Sequence, residues 1–466
     1  MFDDAGGGET HSAVPPLESL QSMLTGLWSM ESVGDDAERV EQLALLEQVK
    51  SAAAGAQAAV SVALSDSLLA KDDADGVAKD RRGRGIGALI GFARSESPRL
   101  GGRRLHMART LIGDLPHTYA ALRAGELSEW RASIVVTETA MLSPELRRAA
   151  DAEIVDHFAK SGDCKLRAAA RAAAYRLDPA AAVARNAAAE KDRRVSIRPA
   201  PDTMVWLSAL LPVAAGVAAY AALEKHAKAA RAAGDERTRG QVMADTLVER
   251  ITGQSSAEAV PVDIGLIMDA ETMFAGADRP ATLAGYGPIP AELARRLAAG
   301  RAGQDDAGGA AKARARIRRL FTHPTDGSLV RMDSRRRFFE GELRDLIVLR
   351  DQTCRTPFCD APIRHVDHPV PVRSGGATTA TNGQGLCEQC NYTKEARGWR
   401  TEVVDDGTSG SPHTVRTVLP TGHDYYSTAP PPLPPDGDEL LCRRLRRIID
   451  THWQTPPARI LTGTDG

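Results

Sequence analysis

The residues best suited to chemistry in this 466-residue chain lie close together towards its C-terminal end. Four of its six cysteines form two short pairs, Cys354-x4-Cys359 and Cys387-x2-Cys390, with 27 residues between the pairs. Each short loop places two sulfurs on one side of an ion, so four thiolates in this pattern suit a tetrahedral structural zinc. Such a site contributes roughly 10–16 kcal/mol to folding a small module that lacks a large core. The plainer alternative is four buried, unligated thiols. Between the pairs runs His365-Val366-Asp367-His368-Pro369-Val370-Pro371, then Gly375-Gly376 and Asn382, while Asn391, Lys394 and Trp399 follow Cys390. A histidine beside an aspartate is by itself an ordinary surface pair.

The spacing gives the set more meaning. Asp367-His368, Asn382 fourteen positions after that histidine, and then Cys387-x2-Cys390-Asn391-x2-Lys394 together resemble the HNH nuclease family, in its variant with Asn in place of the third His. The resemblance covers about 50 residues. It implies a ββα-metal fold of two strands and a helix, buttressed by the four-Cys zinc site, and hydrolysis of phosphodiester bonds. The residue types are apt for that reaction. Attack on phosphorus needs a water deprotonated near neutral pH, and neutral imidazole suits that task. A cation must also stabilise the charge on pentavalent phosphorus and on the departing 3′ oxygen. Asp367 offers a hard oxygen and Asn391 a neutral second one, which leaves most of the coordination sphere to water and phosphate, as Mg²⁺ prefers. Carried over position by position, His368 is the general base, and Asp367 and Asn391 hold the divalent ion. Asn382 orients the histidine through its backbone or side chain. Lys394, on the same helical face as Asn391, completes the catalytic set as a phosphate contact. Arg373, in the loop after the histidine strand, is a weaker phosphate contact. His365 either assists the metal or packs, and packing is the expectation. Asn391 where the namesake pattern has His favours Mg²⁺ or Mn²⁺ over Zn²⁺ as the catalytic ion.

Elements elsewhere must position this site, and the length leaves room for one or two further domains. From about Pro16 to Leu177 the pattern is helical and rich in Ala, Leu and Arg. Ser128 caps a run through Met141, and Ser143-Pro144-Glu145 starts a helix that Ser161-Gly162 closes. Arg193–Arg198 alternates around Val195 and Ile197 and reads as a strand, as does Val260–Met268. The uncharged run Val205–Leu223 reads as a packed strand or turn followed by a helix, with Ala-rich helices over roughly 213–233 and 238–252. The expected fold class is therefore a mainly α domain with a small sheet (α+β), followed by a small ββα-metal module with a structural zinc site. The expected divisions are a flexible N-terminus and first helix (1–36), a helical domain (37–300), a linker and Arg-rich segment (301–340), the HNH module (341–402) and a Pro/Gly-rich tail (403–466). The tail ends in a short basic helix near Leu440–Ile449.

The front section carries a second resemblance. Leu115-Pro116, Ala120-Ala121-Leu122-x2-Gly125-Glu126-Leu127-Ser128, the Arg193–Pro199 strand and Gly285-Tyr286-Gly287-Pro288-Ile289-Pro290 look like the actinobacterial domain of unknown function 222. That domain is commonly joined to a C-terminal HNH module, so the likeness supplies architecture without a mechanism. Within it, Ala88–Ser95, Ser97-Pro98 and Arg99–Thr110 have the outline of a helix-turn-helix with Arg99, Arg103 and Arg104 towards a phosphate backbone. Two packed bundle helices with a solvated arginine face are the preferred reading.

A net charge of −2 gives no global sign of affinity for nucleic acid or membrane. The basic residues are lopsided, however, with 49 Arg to 10 Lys, a bias suited to bidentate phosphate contacts and equally produced by a GC-rich genome. Residues 312–350 hold a local balance of +6, and Arg335, Arg336 and Arg337 there are the expected backbone contacts. The acidic N-terminus lacks the look of an export signal, and Val205–Leu223 is broken by Pro212 and Gly216, so a cytoplasmic protein without a membrane partner is expected. There is no Gly-Lys dipeptide for a P-loop and no Gly-x-Ser-x-Gly elbow, and Gly83–Ala88 follows a charged segment where a dinucleotide loop would follow a strand. What remains first is a metal-dependent DNA endonuclease with a catalytic Mg²⁺ or Mn²⁺ and a structural Zn²⁺. The alternatives are a catalytically inactive, zinc-stabilised nucleic-acid-binding protein, or a front domain that mainly mediates protein contacts, including a homo-oligomer.

Overall fold

The computed structural model describes residues 17–32, 34–253, 266–283, 285–298, 338–408 and 411–431. The expected linker, Arg335–Arg337 and the basic helix near 440–449 lie outside these residues. The N-terminal part is a succession of helices: α1 (Leu17–Trp28), α2 (Asp36–Ala74), α3 (Ile86–Ala93), α4 (Pro98–Asp114), α5 (Pro116–Arg123), α6 (Glu129–Glu138), α7 (Pro144–Ile154), α8 (His157–Lys160), α9 (Asp163–Leu177) and α10 (Pro179–Ala189). Local chemistry sets their starts. Ser128, Ser143 and Asp178 accept from backbone N–H groups at the first turns of α6, α7 and α10, and proline opens α5, α7 and α10. The helix expected to run from Pro144 to Ser161 is in fact broken between Ile154 and His157. Arg131 takes the carbonyls of His157 and Ser161 at 3.3 and 2.6 Å, which closes the short α8 from the side.

The chain forms two compact units, Met1–Val60 with Thr110–Leu177, and Ser61–Arg109 with Asp178–Gly466. In the first, Leu111, Leu115, Leu122, Leu127, Val135, Ile154 and Leu166 form the apolar interior, and α6 and α7 pack on α9. Asp151 reaches from α7 to the start of α5, where its carboxylate accepts from His117 N at 2.7 Å, Thr118 N at 3.1 Å and Thr118 Oγ1 at 2.5 Å. Those are orphan donors of a helix N-terminus, satisfied here by another helix.

In the second unit, α3 and α4 are a packed pair. Ile86, Ile90 and Leu105 meet Leu64, Leu68 and Leu69 of α2, and Arg104 pairs with Glu96 at 2.9 Å while Arg99 and Arg103 stay exposed. This is the bundle reading of the segment. Strands β1 (Arg194–Ala200) and β2 (Met204–Leu210) form an antiparallel hairpin with Ile197 opposite Leu207. The strand at the start of Val205–Leu223 is exposed, not packed as expected: Trp206 retains 57 % of its surface. Helices α11 (Val213–Ala232) and α12 (Arg239–Thr252) follow and pack together, the second opened by a Thr238–Gln241 capping box. Next come β3 (Leu266–Ile267), α13 (Ala270–Phe274), β4 (Ala281–Leu283), β5 (Gly287–Ile289) and α14 (Ala291–Ala298). The three strands make one antiparallel sheet with a small core of Ala281, Ile289 and Ala294. Of the strand expected over Val260–Met268, residues 260–265 lie outside the described part.

The Cys-rich module comprises α15 (Gly341–Asp351), β6 (His365–Asp367), β7 (Gln384–Leu386) and α16 (Glu388–Thr393). β6 and β7 pair antiparallel, His365 opposite Leu386 and Asp367 opposite Gln384, giving the two strands and helix that the resemblance implied. The part expected to be a Pro/Gly-rich tail from residue 403 contains strands. β8 (Arg400–Asp405), β9 (Thr414–Val418) and β10 (Asp424–Thr428) form a three-stranded antiparallel sheet in the order β10-β9-β8. An aromatic cluster joins this module to α3 within the same unit. Phe92 meets Tyr425, Trp399 and Phe358 edge-on, with centroids 4.8, 5.7 and 6.0 Å away. Gly85, at φ +87° before α3, leaves room for the Trp399 indole, whose Nε1 would lie 2.6 Å from a Cβ there.

Candidate functional site

The four cysteines converge. Cys354 and Cys359 sit in a tight turn held by Cys354 N to Ala361 O at 2.9 Å and Cys359 N to Thr356 O at 3.0 Å. Cys387 is the N-cap of α16, its sulfur accepting from Cys390 N, so the helix start itself sets the second pair. All four sulfurs lie within 4.8 Å of one another, with Cys390 and Cys387 at 3.6 and 3.9 Å from Cys359. A tetrahedral zinc with bonds of about 2.3 Å spaces its sulfurs by about 3.8 Å, so the cage has the right size. As thiols the group is in conflict. Hydrogen bonds from Cys359 and Cys390 pull the Cys354 thiol down, and the same contacts push Cys359 and Cys390 up. A dication removes the conflict by taking all four as thiolates.

β6 delivers Asp367, and His368 follows at its end. Asp367 Oδ1 accepts from His368 N at 2.8 Å, and Oδ2 faces the Lys394 ammonium at 2.7 Å. Burial pushes the Asp367 carboxyl up, but the Lys394 hydrogen bond and charge outweigh it and hold it below the usual range. The His368 side chain is buried against Phe339, ring centroids 4.5 Å apart, with Nε2 2.9 Å from Thr378 Oγ1 and Nδ1 3.6 Å from Asp367 Oδ1. α16, which packs on β6, brings Asn391, and its Oδ1 is buried without a hydrogen-bond donor among the described residues. An orphaned buried amide oxygen costs about 1–3 kcal/mol unless something electropositive meets it. A hard cation shared with Asp367 would do so, and the donor set of one carboxylate and one amide oxygen fits Mg²⁺ or Mn²⁺.

The remaining sequence-derived site residues have the following surroundings. The ammonium of Lys394, expected at phosphate, contacts Asp367, the His368 carbonyl at 3.0 Å and Glu395 at 3.3 Å, and its side chain is only 8 % exposed. Asn382 was expected to orient His368. Its Oδ1 accepts from Val370 N at 3.0 Å and its Nδ2 donates to Val370 O at 3.0 Å and Ala377 O at 2.9 Å, so it clamps the loop between them. Gly376 makes this clamp possible, since a Cβ there would overlap the Val370 carbonyl and crowd Asn382 Nδ2. Thr378, whose Oγ1 lies within hydrogen-bond distance of His368 Nε2, did not figure in the sequence analysis. Arg373 is exposed and pairs with Glu395 at 3.1 Å. His365 lies in the strand pair opposite Leu386, half-buried.

A buried charge network was also missed. Asp351 accepts from Arg350 at 2.7 and 3.1 Å, Arg355 at 2.9 Å and Gly385 N at 2.6 Å. Arg350 also donates to the carbonyls of Ala380 and Gly383, both at 2.6 Å. Arg355 reaches Ser427 Oγ and the His413 carbonyl at 3.0 Å, and the Ser427 carbonyl as well. His413 Nε2 lies 3.0 Å from the Thr381 carbonyl, and burial, helped by both arginines, lowers its pKa to about 4. The network thus ties α15, the first Cys turn, β7, the Asn382 loop and the C-terminal sheet together. The available signal was charged residues directly before and inside a Cys turn, Arg350-Asp351 and Arg355.

Comparison with known proteins agrees with this architecture. Residues 44–327 match the family described as Domain of unknown function (DUF222), and residues 352–397 match HNH endonuclease. Uncharacterized protein Rv3776 of Mycobacterium tuberculosis is 28 % identical in an alignment 422 positions long that covers 77 % of each chain. No solved structure matches.

Proposed function

The chain belongs to the DUF222 family and carries an HNH endonuclease domain, and from that premise we propose that it is a metal-dependent endonuclease cutting DNA phosphodiester bonds at Asp367, His368 and Asn391. The observation that carries this reading is the buried Asn391 oxygen, without a donor among the described residues, on the helix packed against the Asp367 strand. Asp367 and Asn391 would hold Mg²⁺ or Mn²⁺, which supplies positive charge for the pentavalent phosphorus and the departing 3′ oxygen. His368 takes the proton of the attacking water. Burial against Phe339 restricts the ring to one orientation, and the Asn382 clamp fixes the loop beside it. Lys394 keeps Asp367 ionised and so ready to act as an oxygen ligand. The four-Cys cage, taken as a zinc site, anchors the start of α16 and hence Asn391. The same reading places the protein in the cytoplasm, where DNA and reduced thiols coexist.

A second reading has one observation in its favour. The Lys394 ammonium already neutralises Asp367, as it would in a zinc-stabilised nucleic-acid-binding module that no longer cuts. Supercoiled plasmid incubated with the full chain and Mg²⁺ or Mn²⁺, with EDTA controls, separates the two. Nicked or linear product that EDTA abolishes supports the nuclease, whereas salt-sensitive binding by zinc-loaded protein with no product in either metal supports the binding module.

A further inference from the structure

A two-stranded hairpin is marginally stable on its own in water and persists when one of its faces packs on something. In the β1–β2 hairpin the register sets Val195 opposite Ala209, Ile197 opposite Leu207 and Pro199 opposite Val205, so these six side chains share one face. None of them is polar, while the other face carries Arg194, Ser196, Arg198 and Ser208. The apolar face is nevertheless bare: Val195, Ile197, Val205 and Leu207 keep 46–68 % of their surface. Tyr286 Oη ties the hairpin to its unit at the turn end, donating to the Ala200 carbonyl at 2.9 Å. Among the described residues no other strand or helix packs broadly on it. A contiguous apolar face without charge marks a contact with protein, since phosphate would call for Lys or Arg there.

We propose that this face is covered by the same face of a second copy of the chain. A charge-free face is complementary to itself. A two-fold axis along the central Ile197–Leu207 rung lays Ile197 on Ile197, Leu207 on Leu207 and Val195 on Pro199 of the other copy, with the two sheets about 10 Å apart. The same operation matches the ends by charge. The turn of one hairpin, with exposed Asp202, meets the open end of the other, with exposed Arg193 and Arg194. The area is also adequate. Six apolar side chains this exposed offer on the order of 500 Å² per copy, against about 800 Å² per partner in a standard interface. Val213, Val217 and Tyr220, exposed along one side of α11 directly after β2, supply the remainder. The pairing stands independently of the nuclease reading.

Sedimentation of the full chain tests it. The wild type is expected to sediment at twice its chain mass. Leu207→Asp and Leu207→Lys each set like charges against one another at the centre of the pair, and each is expected to raise the dissociation constant about 100-fold or more. Mixed together, the two variants are expected to associate again, because Leu207 of one copy lies on Leu207 of the other. Hydrogen exchange over residues 194–210 is expected to be slower in the dimer than in the monomer, whether the monomer is reached by dilution or by substitution. A wild type of single chain mass at every concentration overturns the inference. So does a wild-type dimer that neither Leu207 variant weakens, or one whose hairpin exchanges as fast as the monomer's. Mixed variants that keep the helical dichroism of the wild type yet stay apart overturn it too.

Discussion

Asp151 and Asp351 are both completely buried, and their surroundings are opposite in kind. Around Asp151 every close donor is neutral: the His117 and Thr118 N–H groups and the Thr118 hydroxyl. Burial therefore wins, and the carboxyl is pushed above its usual value of 3.8. At Asp351 burial also pushes upward, but the Arg350 and Arg355 guanidiniums outweigh it and hold the group below 3.8. The difference follows from what each region has for a core. The helical unit encloses Leu111, Leu115, Leu122, Leu127 and Ile154, and its carboxylate serves as a cap on α5. The Cys-rich module has small apolar clusters, such as Phe339, Leu343, Ile347 and Ala380, and long loops to fix. There the carboxylate is the hub of a charge network that fastens those loops to the site.

Removing what stands in for a core should break this contrast most severely. Chelation of zinc, or Cys390→Ser, is expected to melt the Cys-rich module, since a four-thiolate zinc site supplies roughly 10–16 kcal/mol of folding free energy. Far-UV dichroism should retain the helical signal of residues 110–177 while the environment of Trp399 changes. Unchanged Trp fluorescence after complete metal removal would show that the four thiols do not hold a structural ion.

Asp351→Asn comes next. It leaves two buried guanidiniums without a counter-charge and is expected to cost about 3–5 kcal/mol in urea unfolding monitored at Trp399. Asp151→Ala is expected to cost less, about 1–3 kcal/mol, because the donors it strands are neutral. An Asp151→Ala penalty as large as that of Asp351→Asn would erase the distinction.

The pH dependence sharpens the comparison with opposite signs. Asp351 has its folded pKa below the unfolded 3.8, so its contribution is full above 3.8 and is lost as pH falls through the folded value. Asp151 has its folded pKa above 3.8, so between 3.8 and that raised value the native state binds more protons. Across that window its contribution weakens as pH rises. Unfolding midpoints measured against pH should lose the first dependence in Asp351→Asn and the second in Asp151→Ala.

What the sequence made legible was mostly local or tied to fixed spacing. Ser128 and Ser143 cap the helices expected of them, because a cap acts over three residues. The ββα arrangement around Asp367, His368 and Asn391 is the one implied by the resemblance that their motif carries. The C-terminal sheet did not, since β8, β9 and β10 have only 5 or 6 residues each and are separated by segments rich in Gly, Ser and Pro. Nor did the Arg355 contacts, whose partners His413 and Ser427 lie 58 and 72 positions away. Thr378 was hidden among Thr379 and Thr381, and its proximity to His368 depends on how the Asn382 clamp folds the loop. Lys394 lies directly after the Asn391 helix, and its ammonium meets the Asp367 carboxylate, a partner 27 positions away that spacing within the helix does not reveal.

The most direct test of the central claim is supercoiled-plasmid cleavage by wild type and His368→Ala side by side, in Mg²⁺ and in Mn²⁺, with DNA affinity measured on both. The account expects EDTA-sensitive cutting by wild type, a loss of about 100-fold or more in His368→Ala, and DNA affinity within a few-fold of wild type. Equal cutting by His368→Ala, or no cutting by zinc-loaded wild type in either metal, would contradict it.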